Sequence, residues 1–158
     1  MYIQLLYMKE LEDILLTTSQ IPLAKKTVLN ISYTSNIIRD SISNILKPFD
    51  ISIEQFNVLR ILRGQKGKPT NLQDIQGRMV SKMSNTTRLV DKLILKGYVE
   101  RFICEENRRK VEIFITPKGL EFLTEIDPKV EATETDITSP LSQEELKTLN
   151  SLLTKLRD

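Results

Sequence analysis

Between Ser81 and Gly97 the apolar and polar positions separate onto two sides of one predicted helix. Ser81, Ser84, Asn85, Arg88 and Lys92 follow spacings of three and four, and Thr86, Leu89, Val90, Leu93 and Gly97 do the same on the opposite side. The second side is built to pack. The first is short, polar and ends in cations, unlike an ordinary solvated face, where long Glu and Lys predominate. Helical spacing predicts further elements: a short helix over 2–16, a long one over 23–47 carrying Val28, Ile31, Ile38, Ile42 and Ile45, and another over 53–63. Pro48 stops the long helix. A short helix from Asn71 through Met79 precedes the two-sided one, predicted over 82–96, and two more follow over 117–137, bent near Pro128, and 143–157.

Several of these helices announce their own starts. Ser52 with Gln55 forms a capping box, and Ile51 is placed to staple onto Phe56. The device recurs at Leu141, Ser142, Glu145 and Leu146. Thr116 before Pro117 puts a capping hydroxyl ahead of a proline at the first helical position, where the missing N–H costs little. After Gly97 the period changes: YVERFI (98–103) and KVEIFIT (110–116) are rich in β-branched and aromatic residues around a polar CEENRR stretch, which predicts a β-hairpin.

The total charge hides a division. The 158 residues carry a net +2, yet residues 78–110 hold nine Lys/Arg against four Asp/Glu, and residues 111–158 hold five against ten. A basic stripe beside an acidic remainder suggests a polyanionic partner for one part of the chain; the plainer reading is a chance cluster on a solvated face. One cysteine and no histidine exclude an internal disulfide framework and leave no zinc site, so no metal or cofactor is expected and a reducing cytoplasm is the default. No apolar run approaches the roughly 20 residues of a membrane span. The start, MYIQLLYMKELEDILL, lacks a basic leader region and does not read as a secretory signal.

Short helix, tight connection, amphipathic helix and hairpin follow in the order of a helix-turn-helix with a wing. Such a recognition helix enters the major groove, about 12 Å wide, where hydroxyl, amide and guanidinium groups pair with base edges and phosphates. The fold class expected is therefore mainly α with a small β element (α+β), a winged helix-turn-helix joined to helices at both ends of the chain.

SNTTRLVDKLILKGYVER (84–101) followed by NRRKVEIFITPKG (107–119) resembles the MarR family of bacterial winged-helix transcription regulators, and the likeness runs in order over about residues 23–157. The resemblance implies a cytoplasmic homodimer, of repressor type, bound to a pseudo-palindromic site on double-stranded DNA. It implies a helical dimerisation lobe built from 1–48 and 117–158, with 49–116 forming the DNA-binding lobe. The recognition helix 82–96 would lie in the major groove and the wing 98–116 at the minor groove. It also implies a small aromatic or phenolic effector in a crevice between the lobes. Family wings commonly read AspArgArg at the tip, the acid orienting an arginine, whereas Asn107 precedes Arg108 and Arg109 here; Glu105 or Glu106 is the substitute acid. The helix at 2–16 is longer than the family's usual start, and either extends the dimer interface or covers apolar surface.

The DNA-contacting residues expected are Lys82, Ser84, Asn85, Thr87, Arg88, Lys92, Arg108, Arg109 and Lys110. Arg88 has an alternative as an ion pair with Asp91 or a neighbour, Ser84 and Thr87 as partners of local backbone, and the three lysines as solvated charges. Tyr33, Asn36, Arg39 and Phe56 are effector candidates, with core or interface roles as the alternative. Cys104 lies at the hairpin, away from where oxidant-sensing relatives carry their thiol, and Glu105 and Glu106 oppose the activation Arg101 would give it. Catalysis finds no support: there is no nucleophile with a recognisable base and no phosphate-binding glycine loop. The competing class is a winged-helix module for protein–protein assembly, since the fold alone does not guarantee DNA binding.

Overall fold

The computed structural model describes residues 10–103 and 111–157. The chain divides into two compact units, 1–40 and 41–158. In the first, α1 is a single turn, Leu11–Ile14, shorter than the helix to residue 16 that the spacing predicts; Leu16 stands at φ 50°, which breaks the helix, and 1–9 lie outside the described residues. The long helix α2 is Leu23–Leu46. Lys26 lies 2.9 Å from both Glu10 and Glu12, which holds the Glu12 carboxyl below and the Lys26 ammonium above their ordinary values. Along α2, Leu23, Val28, Ile31, Ile37 and Ile38 are exposed.

Pro48 ends α2 in a short 3-10 turn, Lys47–Phe49, and Asp50 takes a left-handed conformation. Helix α3, Ile53–Gly64, then starts on the predicted box: Gln55 N–H donates to Ser52 Oγ at 3.2 Å, and Ser52 N–H donates to Gln55 Oε1 at 2.9 Å. Helix α4, Leu72–Arg78, is capped by Asn71, whose Oδ1 accepts from Asp74 N–H at 2.8 Å. Helix α5, Thr86–Leu95, leads into the antiparallel strands β1 (Val99–Ile103) and β2 (Val111–Ile115), paired Val99 to Ile115 through Ile103 to Val111. Thr70 adds a bridge to Ile113, so the residue before the α4 cap extends the sheet. Helix α6, Pro117–Thr138, holds Pro128 inside it, and α7 is Gln143–Arg157. Ser142 and Glu145 cap α7 reciprocally, as predicted.

One core serves this unit. Ile42 and Leu46 of α2, Phe56, Val58, Leu59 and Leu62 of α3, Ile75 of α4, Val90 and Leu93 of α5, Ile113 of β2, and Phe122, Leu123 and Ile126 of α6 are buried together. Ile51 and Phe56, the predicted staple, both belong to it. An ion pair between Arg63 and Asp127 ties α3 to α6 at its margin. Helix α7 behaves differently: none of its residues is buried, and Leu149, Leu152 and Leu156 are exposed.

The start of α6 is pressed against the hairpin so closely that residue 119 has no room for a side chain. A Cβ on Gly119 would stand 2.4 Å from the Tyr98 carbonyl oxygen and 2.8 Å from Ile115 Cγ1, whereas one on Gly77, inside α4, meets nothing within 4 Å. Gly119→Ala is expected to destabilise the protein by about 1–3 kcal/mol, because a backbone atom must move. Gly77→Ala is expected to stabilise it by up to about 1 kcal/mol through helix propensity. Urea denaturation of the two variants beside wild type checks both signs.

Candidate nucleic-acid interface

Helix α5 has a sharply divided surface. Val90 and Leu93 are fully buried and Thr86 nearly so, while Thr87, Arg88, Asp91 and Lys92 are exposed. Its start differs from the sequence expectation. The helix begins at Thr86, not Lys82, so Lys82 and Ser84 lie in the preceding turn and Asn85 is the cap, its Oδ1 accepting from Arg88 N–H at 3.0 Å. The spacing of Ser81, Ser84 and Asn85 imitates a helix, but other bonds claim the groups that would continue it. Gln76 Nε2 donates to Lys82 C=O at 2.6 Å, Lys82 Nζ donates to Gly77 C=O at 2.6 Å, and Val80 N–H donates to Asn57 Oδ1 at 3.1 Å. Thr86 Oγ1 donates to Gln76 Oε1.

The structure gathers four of the expected DNA-contacting residues at one place. Ser84, Asn85, Arg88 and Lys92, with Glu54 of α3 and Leu89, border a cavity of about 320 Å³ at the head of α5. Ser84 Oγ is buried there without a hydrogen-bond partner among the described residues, a state that native proteins seldom tolerate in the absence of a partner. Thr87 stands exposed one position after the helix start. Lys82 is held apart from this group by its bond to Gly77, which places its ammonium at the carboxyl end of α4, where a helix favours positive charge. Arg108, Arg109 and Lys110, and with them Cys104 and Asn107, lie outside the described residues.

The ion pair weighed for Arg88 goes elsewhere: Asp91 binds Arg101 of β1, joining the exposed side of α5 to the root of the hairpin. At the other end of α5, Lys96 lies 2.6 Å from Asp50. The hydrogen bond and charge of Lys96, with the charge of Lys92 behind, hold the Asp50 carboxyl below its ordinary value. Of the effector candidates, Phe56 is buried in the core with Arg60 over its ring at 5.6 Å, so it takes the core role. Tyr33, Asn36 and Arg39 are exposed on α2. Gln76 and Asn57, which organise the turn before α5, carry no local signal: each is an ordinary polar helix residue until the fold brings its partner close.

A helix, a turn, a second helix with an exposed polar head, and an antiparallel hairpin rooted on that helix define a winged helix-turn-helix protein. Residues 51–111 match the model of the MarR family. Over 126 residues the chain is 29% identical to the HTH-type transcriptional regulator PecS of Dickeya dadantii, covering 78% of this chain and 75% of that protein. Among solved structures, the MarR transcription factor from Planctomyces limnophilus is 28% identical with a TM-score of 0.66, covering 86% of this chain and 98% of that one. A mutant MarR from Escherichia coli complexed with operator DNA shares the fold at a TM-score of 0.73 and 24% identity, covering 94% of this chain and 99% of that one. Over its winged region the chain is thus similar to the MarR family of transcription regulators.

The Asp50–Lys96 pair gives the unit a pH dependence of known sign. A carboxyl whose folded value is depressed contributes stability above its unfolded value, and that contribution is lost as pH falls through the folded value. Asp50→Asn is expected to lessen slightly the loss of stability on the acid side, where Glu12 and Glu145 also contribute, and to leave the alkaline side unchanged, measured as urea midpoints from pH 7 down to pH 3.

Proposed function

We propose that the chain is a dimeric, sequence-specific regulator of transcription, of repressor type, acting on double-stranded DNA in the cytoplasm. The head of α5 lies in the major groove and the hairpin 98–116 reaches the minor groove. The observation that carries the reading is the outward face of α5: Thr87, Arg88 and Lys92 are exposed beside the Ser84 hydroxyl, which has no partner among the described residues, while Val90 and Leu93 hold the helix to the core. Hydroxyl and guanidinium groups match the donors and acceptors of base edges, and lysines match phosphates. The contact surface of a protein-assembly module is depleted in lysine, whereas Lys92 stands exposed here. Lys92 and Lys110 act on phosphates, Ser84, Thr87 and Arg88 near the bases, and Arg108 and Arg109 at the wing. Asn85 divides its amide, the oxygen capping α5 and the nitrogen left to donate. The reading assigns no catalytic step.

In this reading residues 49–116 form the DNA-binding lobe, and 1–48 with 117–158 form the dimerisation lobe. The exposed apolar residues of α2 and the unburied leucines of α7 support it, since an apolar stripe of that length on a water-soluble chain calls for a partner. A two-fold dimer then fits a pseudo-palindromic site. A small aromatic or phenolic effector tunes it by binding one state of the dimer better than the other; titrating aromatic acids while following DNA affinity tests this.

Binding to duplexes selected from a random pool, at several salt concentrations, tests the central reading. A steep salt dependence and a recovered two-fold motif support it; a flat dependence sinks it. Arg88→Ala is expected to weaken binding by about 1–3 kcal/mol and to relax preference at one position per half-site. Arg109→Ala is expected to weaken many sequences together and to reduce the salt slope by about one unit per lost contact, because minor-groove readout follows width and potential. Reversed outcomes would exchange the two roles.

Leu152→Glu on α7 tests the dimer separately. The variant is expected to keep the helical circular dichroism of the wild type and to scatter light as a monomer of 18.2 kDa. A wild type that is itself monomeric at micromolar concentration would remove the two-half-site model.

A further inference from the structure

We propose that Gln76 is a positioning residue for DNA recognition: its side-chain amide fixes where α5 begins, and thereby which side chains of residues 84–88 reach the base edges. The inference rests on the DNA-binding reading above and adds a residue that touches no DNA in it. Gln76 belongs to α4 and is half-buried, yet both ends of its amide are spent across the turn on groups of the next helix and its approach. Nε2 donates to Lys82 C=O at 2.6 Å, and Oε1 accepts from Thr86 Oγ1.

These two groups are the ones that decide the length of α5. In a helix begun at Lys82, the Lys82 carbonyl would accept from the Thr86 N–H, four residues on. Gln76 occupies that carbonyl and, with its other end, holds Thr86, which is only 5% exposed. Lys82 Nζ closes the same turn from the opposite direction by donating to Gly77 C=O, and Asn57 pins Val80. The sequence from Ser81 to Arg88 has helical spacing and no proline or glycine to stop it. What keeps α5 from winding back toward Ser81 is this clasp together with the Asn85 cap. An added turn would convert Asn85 from a cap into a helical residue and would turn Ser84 and Asn85 about 100° per residue around the axis, out of the present array.

The test compares binding of full-length protein to the duplex that wild type enriches most from a random pool and to a random-sequence duplex of equal length. Gln76→Met keeps the volume and removes both bonds. It is expected to lower affinity for the enriched duplex about tenfold, as when the competent arrangement falls to about a tenth of the population, and to change random-duplex affinity less than twofold. Thr86→Val is expected to match it, the double variant to be no worse than either single one, and Thr86→Ser, which keeps the hydroxyl, to bind as wild type. Gln76→Glu keeps the acceptor and loses the donor, and it carries the same reading if Gln76→Met melts without cooperativity. An unchanged ratio of the two affinities overturns the inference, as does a parallel fall in both. Loss of cooperative melting in both Gln76 variants also overturns it, leaving Gln76 a folding residue only. Failure of wild type to enrich any sequence is a different result, and it removes the DNA-binding reading itself.

Discussion

The last turn of α5 ends in backbone carbonyls that have no partner within the helix, and the way they are satisfied organises the second unit. Gly97, at φ 74°, donates to Ile94 C=O at 2.9 Å and Tyr98 N–H donates to Leu93 C=O at 3.0 Å, a Schellman closure that needs the left-handed residue. Thr116 Oγ1 then donates to Gly97 C=O at 2.7 Å while accepting from Gly119 N–H at 3.1 Å, and Lys118 Nζ donates to Lys96 C=O at 2.8 Å. One knot of bonds therefore closes α5, roots both strands and starts α6. Tyr98 stacks on Phe122 beneath it, centroids 5.1 Å apart, with Lys118 over the Tyr98 ring. The close approach at Gly119 belongs to the same knot.

That junction is also why the head of α5 is free for other work. A helix anchored at its carboxyl end and along Val90 and Leu93 packs through its first turn at Thr86 alone, and Thr87 and Arg88 beside it are exposed. The Asp91–Arg101 pair adds a second tie between α5 and β1. In the reading proposed above the two elements meet different grooves, and a fixed angle between them would let one binding event satisfy both.

What could be read from the sequence followed rules acting within four residues. Ser52 with Gln55, Asn71, Thr116 with Pro117, and Ser142 with Glu145 start their helices where the spacing placed them, because a cap involves only its own first turn. Gly97 ended α5 for the same local reason. The start of α5 lies four residues after the one its spacing predicts, since Ser81, Ser84 and Asn85 have helical spacing and the bonds that stop the helix come from Gln76 and Asn57 on other elements. The partner of Asp91 was hidden in the same way, ten residues away on β1. Phe56 takes the core role that its staple with Ile51 favours over ligand contact, and only its depth required the structure. The basic stripe identified the region of the site, but the cavity at Ser84 and Arg88 required three dimensions.

The unburied leucines of α7 bear on how such a protein would measure its own abundance. A chain that completes its apolar core only against a copy has a stability tied to how many copies are present. If pairing precedes DNA contact, the species that occupies the operator rises with the square of chain number while chains are scarce. Halving synthesis would then cut occupancy about fourfold in that regime, giving the controlled genes a threshold that no cooperative contact along the DNA has to supply.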